Sequence, residues 1–376
     1  MGIKVSIRKR FSRNFTLETE FESSGGSCLG ILGPSGCGKS MTLKCIAGIE
    51  TPDEGFISIN GRVLFDSTKR INVKPQRRRV GYLFQNYALF PRMTVLENLS
   101  IGLKQPDRLA GAWLEKFQLT EFAHRYPSQL SGGQQQRAAL ARMLMREPEA
   151  ILLDEPFSAL DTGLRELMQI HMLELLANRR DAVLVTHSRD EVFRLCGELL
   201  VMDGGRALTM GKTRDLFARP GLTPVARLTG CKNISPVTIT GEREIYAVNW
   251  GVTLGTGVPV PAGTTHVGIR AHDLAPVFPA AVGNPAVGNP TGGNLIRMKV
   301  TSCSEEPFEE AVLFTNADAV PADGNADNRS ADGRYADGIP ADNTLWWKYS
   351  KYLNLPALPP YLYAPPERLL LLRDST

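Results

Sequence analysis

Apolar and polar residues alternate along the first part of the chain. Residues 3–7 place Ile, Val and Ile at every second position, and residues 15–21 repeat the pattern with Phe, Leu, Thr and Phe. A period of two is typical of strands with one buried face, so the sequence predicts an antiparallel hairpin at the edge of a sheet. A second hairpin turn is predicted at Asn60-Gly61, directly after a strand-like run at residues 56–59.

Four continuous apolar runs show a different pattern. They cover residues 28–32, 80–84, 150–153 and 182–186. Such runs are typical of parallel strands that are covered on both faces. They therefore predict the central strands of an α/β domain.

Two stretches are predicted to be helical. Residues 43–47 place apolar side chains on one side of a helix that Gly48 would end. Between residues 92 and 146 apolar positions recur at spacings of three and four. We expect this segment, about residues 86–146, to be a helical subdomain inserted into the α/β domain.

The pattern changes again after Pro220. Short strand-like runs separated by Gly and Pro occur at residues 237–239, 244–248, 267–270, 295–300 and 369–372. Runs of this kind predict a small β-barrel. Two low-complexity stretches, about residues 279–293 and 316–343, predict solvated loops. The expected domains are therefore residues 1–228 and residues 229–376.

Composition narrows the class of protein. The chain has 376 residues, of which 43% are hydrophobic and 22% charged, with a net charge of +4. The charge is too slight to imply nucleic acid as a partner, and no apolar run approaches the ~18–20 residues of a membrane span. The six cysteines form no C-x-x-C pair, which favours reduced thiols. A basic run at residues 74–79 is expected on the solvated surface.

The strongest chemical signal is one glycine-rich stretch, Gly33-Pro34-Ser35-Gly36-Cys37-Gly38-Lys39-Ser40, followed by Met41. It fits G-x-x-x-x-G-K-[ST] between a predicted strand and a predicted helix, which is the context that a phosphate-binding loop requires. The glycines allow backbone N–H groups to face phosphates. Lys39 is expected to contact the β and γ phosphates and Ser40 to ligate Mg²⁺.

Polar residues follow the other predicted parallel strands. Gln85, Asp154-Glu155 and His187 each stand at the carboxyl end of an apolar run. Ligands of open parallel sheets bind at that edge, so we expect these side chains to surround one ligand. A further helix N-terminus is predicted at Ser131-Gly132-Gly133-Gln134, with Ser131 as the N-cap.

In combination these motifs resemble the ATP-binding subunits of ABC transporters over about residues 1–228. Gly33 to Ser40 look like the Walker A loop, Gln85 like the Q-loop glutamine and residues 130–134 like the signature motif. Residues 151–154 followed by Glu155 are similar to Walker B, Asp161 to the D-loop aspartate and His187 to the switch histidine.

The resemblance implies a P-loop ABC ATPase fold and an enzyme that hydrolyses ATP with Mg²⁺. Ser40, Gln85 and Asp154 would hold the metal. Glu155 would be the general base that polarises the attacking water, and His187 would contact the γ-phosphate. Phe11 stands where the family often has an aromatic side chain that stacks on adenine; simple packing is the alternative interpretation.

The resemblance also implies partners. Two copies would form a head-to-tail homodimer, in which Ser131, Gly132, Gly133 and Gln134 of one copy meet the γ-phosphate bound by Lys39 of the other. A single chain would be nearly inert. Residues 86–91 would contact an integral-membrane permease, or simply pack within the helical subdomain, and a solute-binding protein would act indirectly. The chain would be a peripheral protein at the cytoplasmic face of the cell membrane.

The C-terminal part resembles the accessory (TOBE/OB-like) domain of oxyanion importers, through residues 226–233 and 268–273. This second resemblance implies import of an oxyanion, in particular molybdate. Importers of sulfate, polyamines or ferric iron have similar ATPase subunits and remain alternatives.

A different class, the ABC ATPases of DNA repair and translation, usually carries a long coiled coil or two ATPase halves. This sequence has one of each motif and no extended heptad run.

Overall fold

The computed structural model describes residues 2–13, 15–84, 87–101, 106–177, 181–278, 294–319, 343–353, 355 and 357–374. It divides into two compact units, Met1–Asp215 and Leu216–Thr376. Each unit has its own hydrophobic core. The first predicted low-complexity stretch, and nearly all of the second, lie outside the described residues.

The described strands follow one another in this order: β1 (Ile3–Arg10), β2 (Thr16–Glu22), β3 (Cys28–Leu32), β4 (Glu54–Ile59), β5 (Arg62–Asp66), β6 (Ile71–Asn72), β7 (Val80–Leu83), β8 (Ala150–Asp154), β9 (Asp181–Val185), β10 (Glu198–Asp203), β11 (Arg206–Lys212), β12 (Asn233–Gly241), β13 (Glu244–Ala247), β14 (Val252–Gly255), β15 (His266–Ile269), β16 (Ala275–Val277), β17 (Leu295–Glu305), β18 (Glu309–Asn316), β19 (Leu345–Ser350), β20 (Tyr361–Tyr363) and β21 (Leu370–Leu372).

The described α-helices are α1 (Lys39–Ala47), α2 (Val95–Ser100), α3 (Pro106–Lys116), α4 (Gly132–Leu144), α5 (Thr162–Ala177), α6 (Arg189–Leu195), α7 (Thr213–Ala218) and α8 (Thr223–Leu228). Short 3₁₀ turns cover Pro75–Arg77, Thr120–Phe122, Pro127–Gln129, Lys351–Leu353 and Pro366–Arg368. Within the described residues, the predicted helical stretch at residues 92–146 contains α2, α3 and α4, with two 3₁₀ turns between α3 and α4.

One sheet organises the first unit. Its strands lie in the order β6-β5-β4-β1-β2-β11-β10-β3-β9-β8-β7. The last five strands of that order run parallel to one another, and every residue of β3, β8 and β9 is buried. The four apolar runs are thus confirmed as neighbouring parallel strands. Because parallel strands end at the same edge, the residues that follow β3, β7, β8 and β9 lie along one edge of the sheet.

Local signals determine the ends of several elements. The predicted N-terminal hairpin is confirmed by the antiparallel pairing of β1 with β2. Between β4 and β5 the turn places Asn60 at φ 51° and Gly61 at φ 82°, the left-handed values that Asn-Gly favours. Helix α1 ends at Gly48 with φ 79°, as the sequence predicts, because glycine adopts this conformation without a steric penalty.

The basic run at residues 74–79 is not wholly a solvated surface, and for Arg78 that prediction is wrong. The side chain of Arg78 is 1% exposed. Its Nη1 donates to the carbonyls of Cys45 and Ile46 at the end of α1, at 2.9 and 2.7 Å. Four backbone and amide acceptors replace water around the guanidinium, and the positive charge faces the negative end of the helix.

The second unit contains two five-stranded sheets, ordered β14-β13-β12-β15-β21 and β16-β20-β17-β18-β19. Strands occur at each of the C-terminal runs predicted from the sequence. Its core includes Trp250, Phe314 and Trp347, all buried. The closed barrel itself stays a prediction.

Two further features bear on the class of protein. All six cysteines are free thiols, in agreement with the expectation of reduced cysteines. Across the described ranges, no helix has the length and apolar character needed to cross a bilayer.

Candidate active site

The glycine-rich loop lies between β3 and α1. A Cβ at Gly33 would come within 2.3 Å of the Met202 carbonyl oxygen and 2.6 Å of Cys37 Sγ, so only glycine fits there. Gly38 adopts φ 103° at the start of α1, a conformation that L side chains rarely take. Pro34, Ser35 and Gly36 form the exposed crest of the loop. The conformation of the loop therefore requires glycine at two positions, Gly33 after β3 and Gly38 before α1.

Lys39 turns its ammonium group back over the loop. Its Nζ donates to the carbonyl oxygens of Gly33 and Pro34, each at 2.8 Å. These contacts place a positive charge at the centre of the loop. Cys37 lies beneath it, and burial raises the pKa of this thiol even though Lys39 acts in the opposite direction.

Ser40 and Asp154 meet at the carboxyl edge of the sheet. Ser40 Oγ donates to Asp154 Oδ1 at 2.9 Å, and the Tyr82 hydroxyl donates to Oδ2 at 3.3 Å. Burial raises the pKa of Asp154, while the two hydrogen bonds lower it. A hydroxyl and a carboxylate are oxygen ligands of the kind that Mg²⁺ prefers, so this pair fits that ion.

Glu155 has an unusual backbone conformation. Its φ is 50°, in the left-handed region. Its N–H donates to Val185 at 2.9 Å, and its carbonyl accepts from Ser158 Oγ at 3.0 Å and from Gln136 Nε2 at 3.4 Å. Bonds from three different segments thus hold the residue in a conformation that costs free energy. With this conformation the backbone at Glu155 leaves the extended path of β8.

His187 approaches Glu155 from the end of the neighbouring strand β9. His187 Nδ1 lies 3.5 Å from Glu155 Oε1. The imidazole is 73% exposed, so it is open to a ligand. The structure therefore brings together five of the residues that the sequence singled out. Lys39, Ser40, Asp154, Glu155 and His187 share this edge of the sheet.

Ser131 begins α4 as predicted. Its hydroxyl accepts from the Gln134 N–H at 3.3 Å, and the Gln134 side chain accepts from the Ser131 N–H at 2.9 Å. This capping box satisfies the first donors of the helix. Ser131 and Gly132 are exposed, so this end of α4 is available to another molecule.

The start of α4 contacts the segment that leads into α5. A Cβ at Gly132 would lie 3.7 Å from the Ala159 side chain, and one at Gly133 would lie 3.3 Å from Leu160. Asp161 then begins α5, since its Oδ1 accepts from the Leu164 N–H at 3.0 Å. A side chain at Gly133 would push against this segment.

Three further predicted residues have different outcomes. Phe11 is half-buried beside the Phe15 ring, with centroids 6.2 Å apart, and Lys9 Nζ lies 5.1 Å from the Phe11 centroid. Met41 packs against the core of the first unit. Gln85 lies outside the described residues.

Sequence reasoning missed three residues that support this site: Tyr82, Gln136 and Ser158. The sequence pattern indicates Tyr82 only as part of an apolar strand and Gln136 only as part of a helix. Ser158 bonds to the carbonyl of Glu155 three residues away. Tyr82 and Gln136 make their contacts across long stretches of chain, to Asp154 and to the carbonyl of Glu155. A single sequence carries no signal for such pairs.

Known proteins match this chain over the part that contains most of these site residues. The family profile described as "ABC transporter" matches residues 17–158. The "Spermidine/putrescine import ATP-binding protein PotA" of Oleidesulfovibrio alaskensis is 40% identical over 267 residues, 69% of either chain. The "Sulfate/thiosulfate import ATP-binding protein CysA" of Mesostigma viride is 40% identical over 61% of this chain and 66% of its own length.

Two more comparisons agree with these. The "Fe(3+) ions import ATP-binding protein FbpC 2" of Rhodococcus jostii is 40% identical over 63% of this chain and 69% of its own length. Among solved structures, the dimeric post-hydrolysis state of the ATP-binding cassette MJ0796, bound to ADP and Pi, matches with a TM-score of 0.50 and 28% identity. That match covers 56% of this chain and 99% of the solved chain. This chain belongs to the ATP-binding subunits of ABC transporters and hydrolyses ATP in support of transport.

Proposed function

We propose that this chain is the ATP-hydrolysing subunit of an ABC importer, with its chemistry at the edge formed by Ser40, Asp154, Glu155 and His187. The observation that carries the proposal is the 2.9 Å bond from Ser40 to Asp154, with the Glu155–His187 pair on the adjoining strand ends. A phosphate-binding loop, a metal-binding oxygen pair and a base are thus contributed by neighbouring strands.

Residues 33–41 would hold the triphosphate. The backbone N–H groups of Gly36 and Gly38 would face the phosphates at the N-terminus of α1. Lys39 would exchange its two carbonyl partners for the β and γ phosphate oxygens. Phe11 would stack on adenine. That the side chain is only half-buried supports this role.

Mg²⁺ would be held by Ser40 and Asp154, together with Gln85. The ion supplies charge neutralisation at the transferring phosphoryl group. The pairing of a hydroxyl with a carboxylate supports this assignment, because magnesium sites use one or two carboxylates plus substrate oxygens.

Glu155 would accept the proton of the attacking water, and His187 would contact the γ-phosphate and orient that water. The backbone bonds from Val185, Gln136 and Ser158 support this role, since they fix the position of the base before ATP arrives. The His187 ring is exposed, so a γ-phosphate would have access to it.

The active unit would be a head-to-tail homodimer. Ser131, Gly132, Gly133 and Gln134 of one copy would close over the ATP on Lys39 of the other. Asp161 would lie in the segment between the two sites. Exposure of Ser131 and Gly132 supports this arrangement, because the phosphate has access to the free end of α4.

The membrane partner would be an integral permease, with the chain at the cytoplasmic face of the membrane. An open cleft of about 880 Å³ lies beside α4 and β7. Tyr82, Tyr87 and Phe90 line it together with Arg142. A groove that is both aromatic and cationic supports docking of an amphipathic helix of the permease.

The transported solute is proposed to be an oxyanion, molybdate or sulfate. The sulfate/thiosulfate import protein among the relatives supports an oxyanion, and the oxyanion-type stretches of the C-terminal part support molybdate. Polyamines and ferric iron are the alternatives, because two of the relatives are named for those solutes. Residues 229–376 would form the accessory β-domain, and a solute-binding protein would deliver the solute.

The test compares Glu155→Gln with a matched control, Glu54→Gln, an exposed glutamate on β4. In the purified chain we expect Glu155→Gln to bind ATP and dimerise while turnover nearly disappears. The control should keep wild-type turnover. Unchanged turnover in Glu155→Gln would contradict its assignment as the base.

Uptake by vesicles that hold the chain and its permease identifies the solute. Labelled molybdate is the probe, with sulfate, spermidine and ferric iron as competitors. Uptake that needs ATP and Glu155 and resists excess sulfate supports molybdate, and equal competition by sulfate supports a broader oxyanion importer. ATP hydrolysis without uptake of molybdate would leave the ATPase assignment standing and would contradict molybdate as the solute.

A further inference from the structure

His187 is held mainly through its neighbours in the chain. The imidazole is 73% exposed, and its contact with Glu155 is long, at 3.5 Å. Thr186, just before it, is 2% exposed, and Ser188, just after it, begins α6 as the N-cap. The orientation of the ring therefore depends on how the backbone on both sides is fixed.

A closed set of hydrogen bonds fixes that backbone. Thr186 Oγ1 donates to Glu191 Oε2 at 2.6 Å and accepts from the Ser188 N–H at 3.0 Å. The Glu191 N–H donates in turn to Ser188 Oγ at 3.4 Å. The three residues form a ring of bonds around the peptide units of His187.

Ordinary helix capping does not account for this pattern. In a capping box the glutamate at the third helical position accepts from the N-cap N–H. Here the Ser188 N–H goes to Thr186 instead, and the carboxylate of Glu191 goes to the Thr186 hydroxyl. The side chain of Glu191 therefore serves the residue before His187 and not the end of the helix.

Glu191 is a costly residue at this place. Its side chain is buried, at 5% exposure, and burial raises its pKa. The hydrogen bond from Thr186 and the charge of Arg165 act in the opposite direction. A buried carboxylate with no part in the chemistry proposed above needs a different reason to be there.

We propose that Glu191 and Thr186 are positioning residues, which fix the peptide units on both sides of His187 and so direct its imidazole toward Glu155. The inference rests on the proposed roles of His187 and Glu155. It assigns no contact with ATP to either residue. Their effect passes through His187.

Thr186 offers a matched pair of variants. Thr186→Val keeps the shape and removes the hydroxyl, whereas Thr186→Ser keeps the hydroxyl. With the purified full chain, MgATP as substrate and protein concentrations that saturate turnover, Thr186→Val should lower kcat about tenfold, because it removes a bond to a charged group. KM for ATP should change less than about twofold, and Thr186→Ser should stay near wild type.

A double-mutant cycle separates positioning from a general structural role. His187→Ala removes the group through which Thr186 acts, so adding Thr186→Val to it should cause no further loss of kcat. Protein concentration is chosen so that the ATP turnover of His187→Ala can be measured above the residual turnover of Glu155→Gln. Independent, multiplicative losses would overturn the proposal, as would wild-type kcat in Thr186→Val.

Glu191→Gln keeps the test valid if Thr186→Val does not fold. The amide still accepts from Thr186 but carries no charge, so we expect an intermediate loss of kcat that is again absent in the His187→Ala background. A loss that persists in that background overturns the proposal. Failure of the proposed function looks different: wild-type chain without turnover, or full turnover in Glu155→Gln.

Discussion

Ser40 on the first turn of α1 donates a hydrogen bond to Asp154 at the end of β8, at 2.9 Å. The two residues are far apart in sequence and meet only because β3 and β8 end at the same edge of one parallel sheet. The contact joins the phosphate-binding loop to the acidic strand end without any other group between them.

Ser40→Ala removes the hydroxyl of this pair. We expect turnover to fall by roughly 10–100-fold, since bonds to a charged group are worth about 1.5–3 kcal/mol. Ser40→Thr is the control, because it retains the hydroxyl and should keep most activity. Mg²⁺-dependent ATP turnover measures both, and equal loss in the two variants would show that volume, not the hydroxyl, matters.

Tyr82→Phe tests the electrostatics of Asp154. Burial raises the pKa of Asp154, and the hydrogen bonds from Ser40 and Tyr82 lower it. Removing the Tyr82 hydroxyl should therefore raise this pKa further. Because Mg²⁺ needs the ionised carboxylate, the acid side of the pH profile for Mg²⁺-dependent turnover should move to higher pH in Tyr82→Phe. A shift to lower pH would contradict this reasoning.

The raised pKa of the Asp154 carboxyl also predicts how the free energy of unfolding changes with pH. A carboxyl whose pKa is raised by folding binds its proton more tightly in the folded chain. Its ionisation therefore lowers the free energy of unfolding as pH rises from the ordinary value of 3.8 through the raised one. Asp154→Asn should be less sensitive to pH across that window and more stable above it. Denaturant unfolding at several pH values measures the difference, and an unchanged slope would argue against it.

Arg78→Met is expected to destabilise the first unit by about 3 kcal/mol or more, because carbonyl groups at the end of α1 lose their donors while remaining buried. Arg79→Met is the neighbouring control. Arg79 is 72% exposed and pairs with Glu149 at the surface, so its loss should cost less than about 1 kcal/mol. Denaturant unfolding of the two variants gives the comparison.

The two arginines also show what a single sequence can and cannot predict. Basic runs are usually solvated, and nothing local distinguishes Arg78 from Arg79. Two of the acceptors of Arg78, the carbonyls of Cys45 and Ile46, come from α1 and reach it only through tertiary packing. The strand, glycine loop and helix around Lys39 could be predicted because their signals are local: an apolar run, glycine spacing and a helix stop at Gly48.

The residues of the candidate site also form two groups: those that the sequence pattern predicts and those whose contacts depend on tertiary packing. The strand-end residues Asp154, Glu155 and His187 were predicted together because parallel strands share an edge. The supporting contacts from Tyr82 and Gln136 join elements that are distant in sequence. Their partners are decided by tertiary packing, so the sequence pattern gives no indication of them.

Arg142 holds a strained segment next to the proposed permease cleft. Tyr87 and Ala88 adopt φ values of 60° and 43°, and Arg142 Nη2 donates to their carbonyls at 3.3 and 2.8 Å. Arg142→Lys should loosen the segment, so the Phe90 amide, bonded to Asn98, should exchange its hydrogen roughly tenfold faster. Hydrogen exchange measures this. Unaltered protection of Phe90 would mean that Arg142 does not hold the segment.

Two inactive variants, when mixed, test the proposed head-to-tail dimer. Lys39→Ala disables the phosphate loop, and Ser131→Arg blocks the exposed end of α4. In a mixed dimer both defects fall in one site, and the other site combines an intact loop with an intact α4.

Random pairing at equal concentrations makes about half of the dimers mixed, so roughly a quarter of wild-type turnover should return. Copies with different tags, recovered together, establish that mixed dimers form. If they form and turnover stays at the level of either variant alone, the two motifs do not act across a shared interface. If each site instead used the loop and α4 of one chain, mixing would restore nothing, because each chain carries one defect of its own.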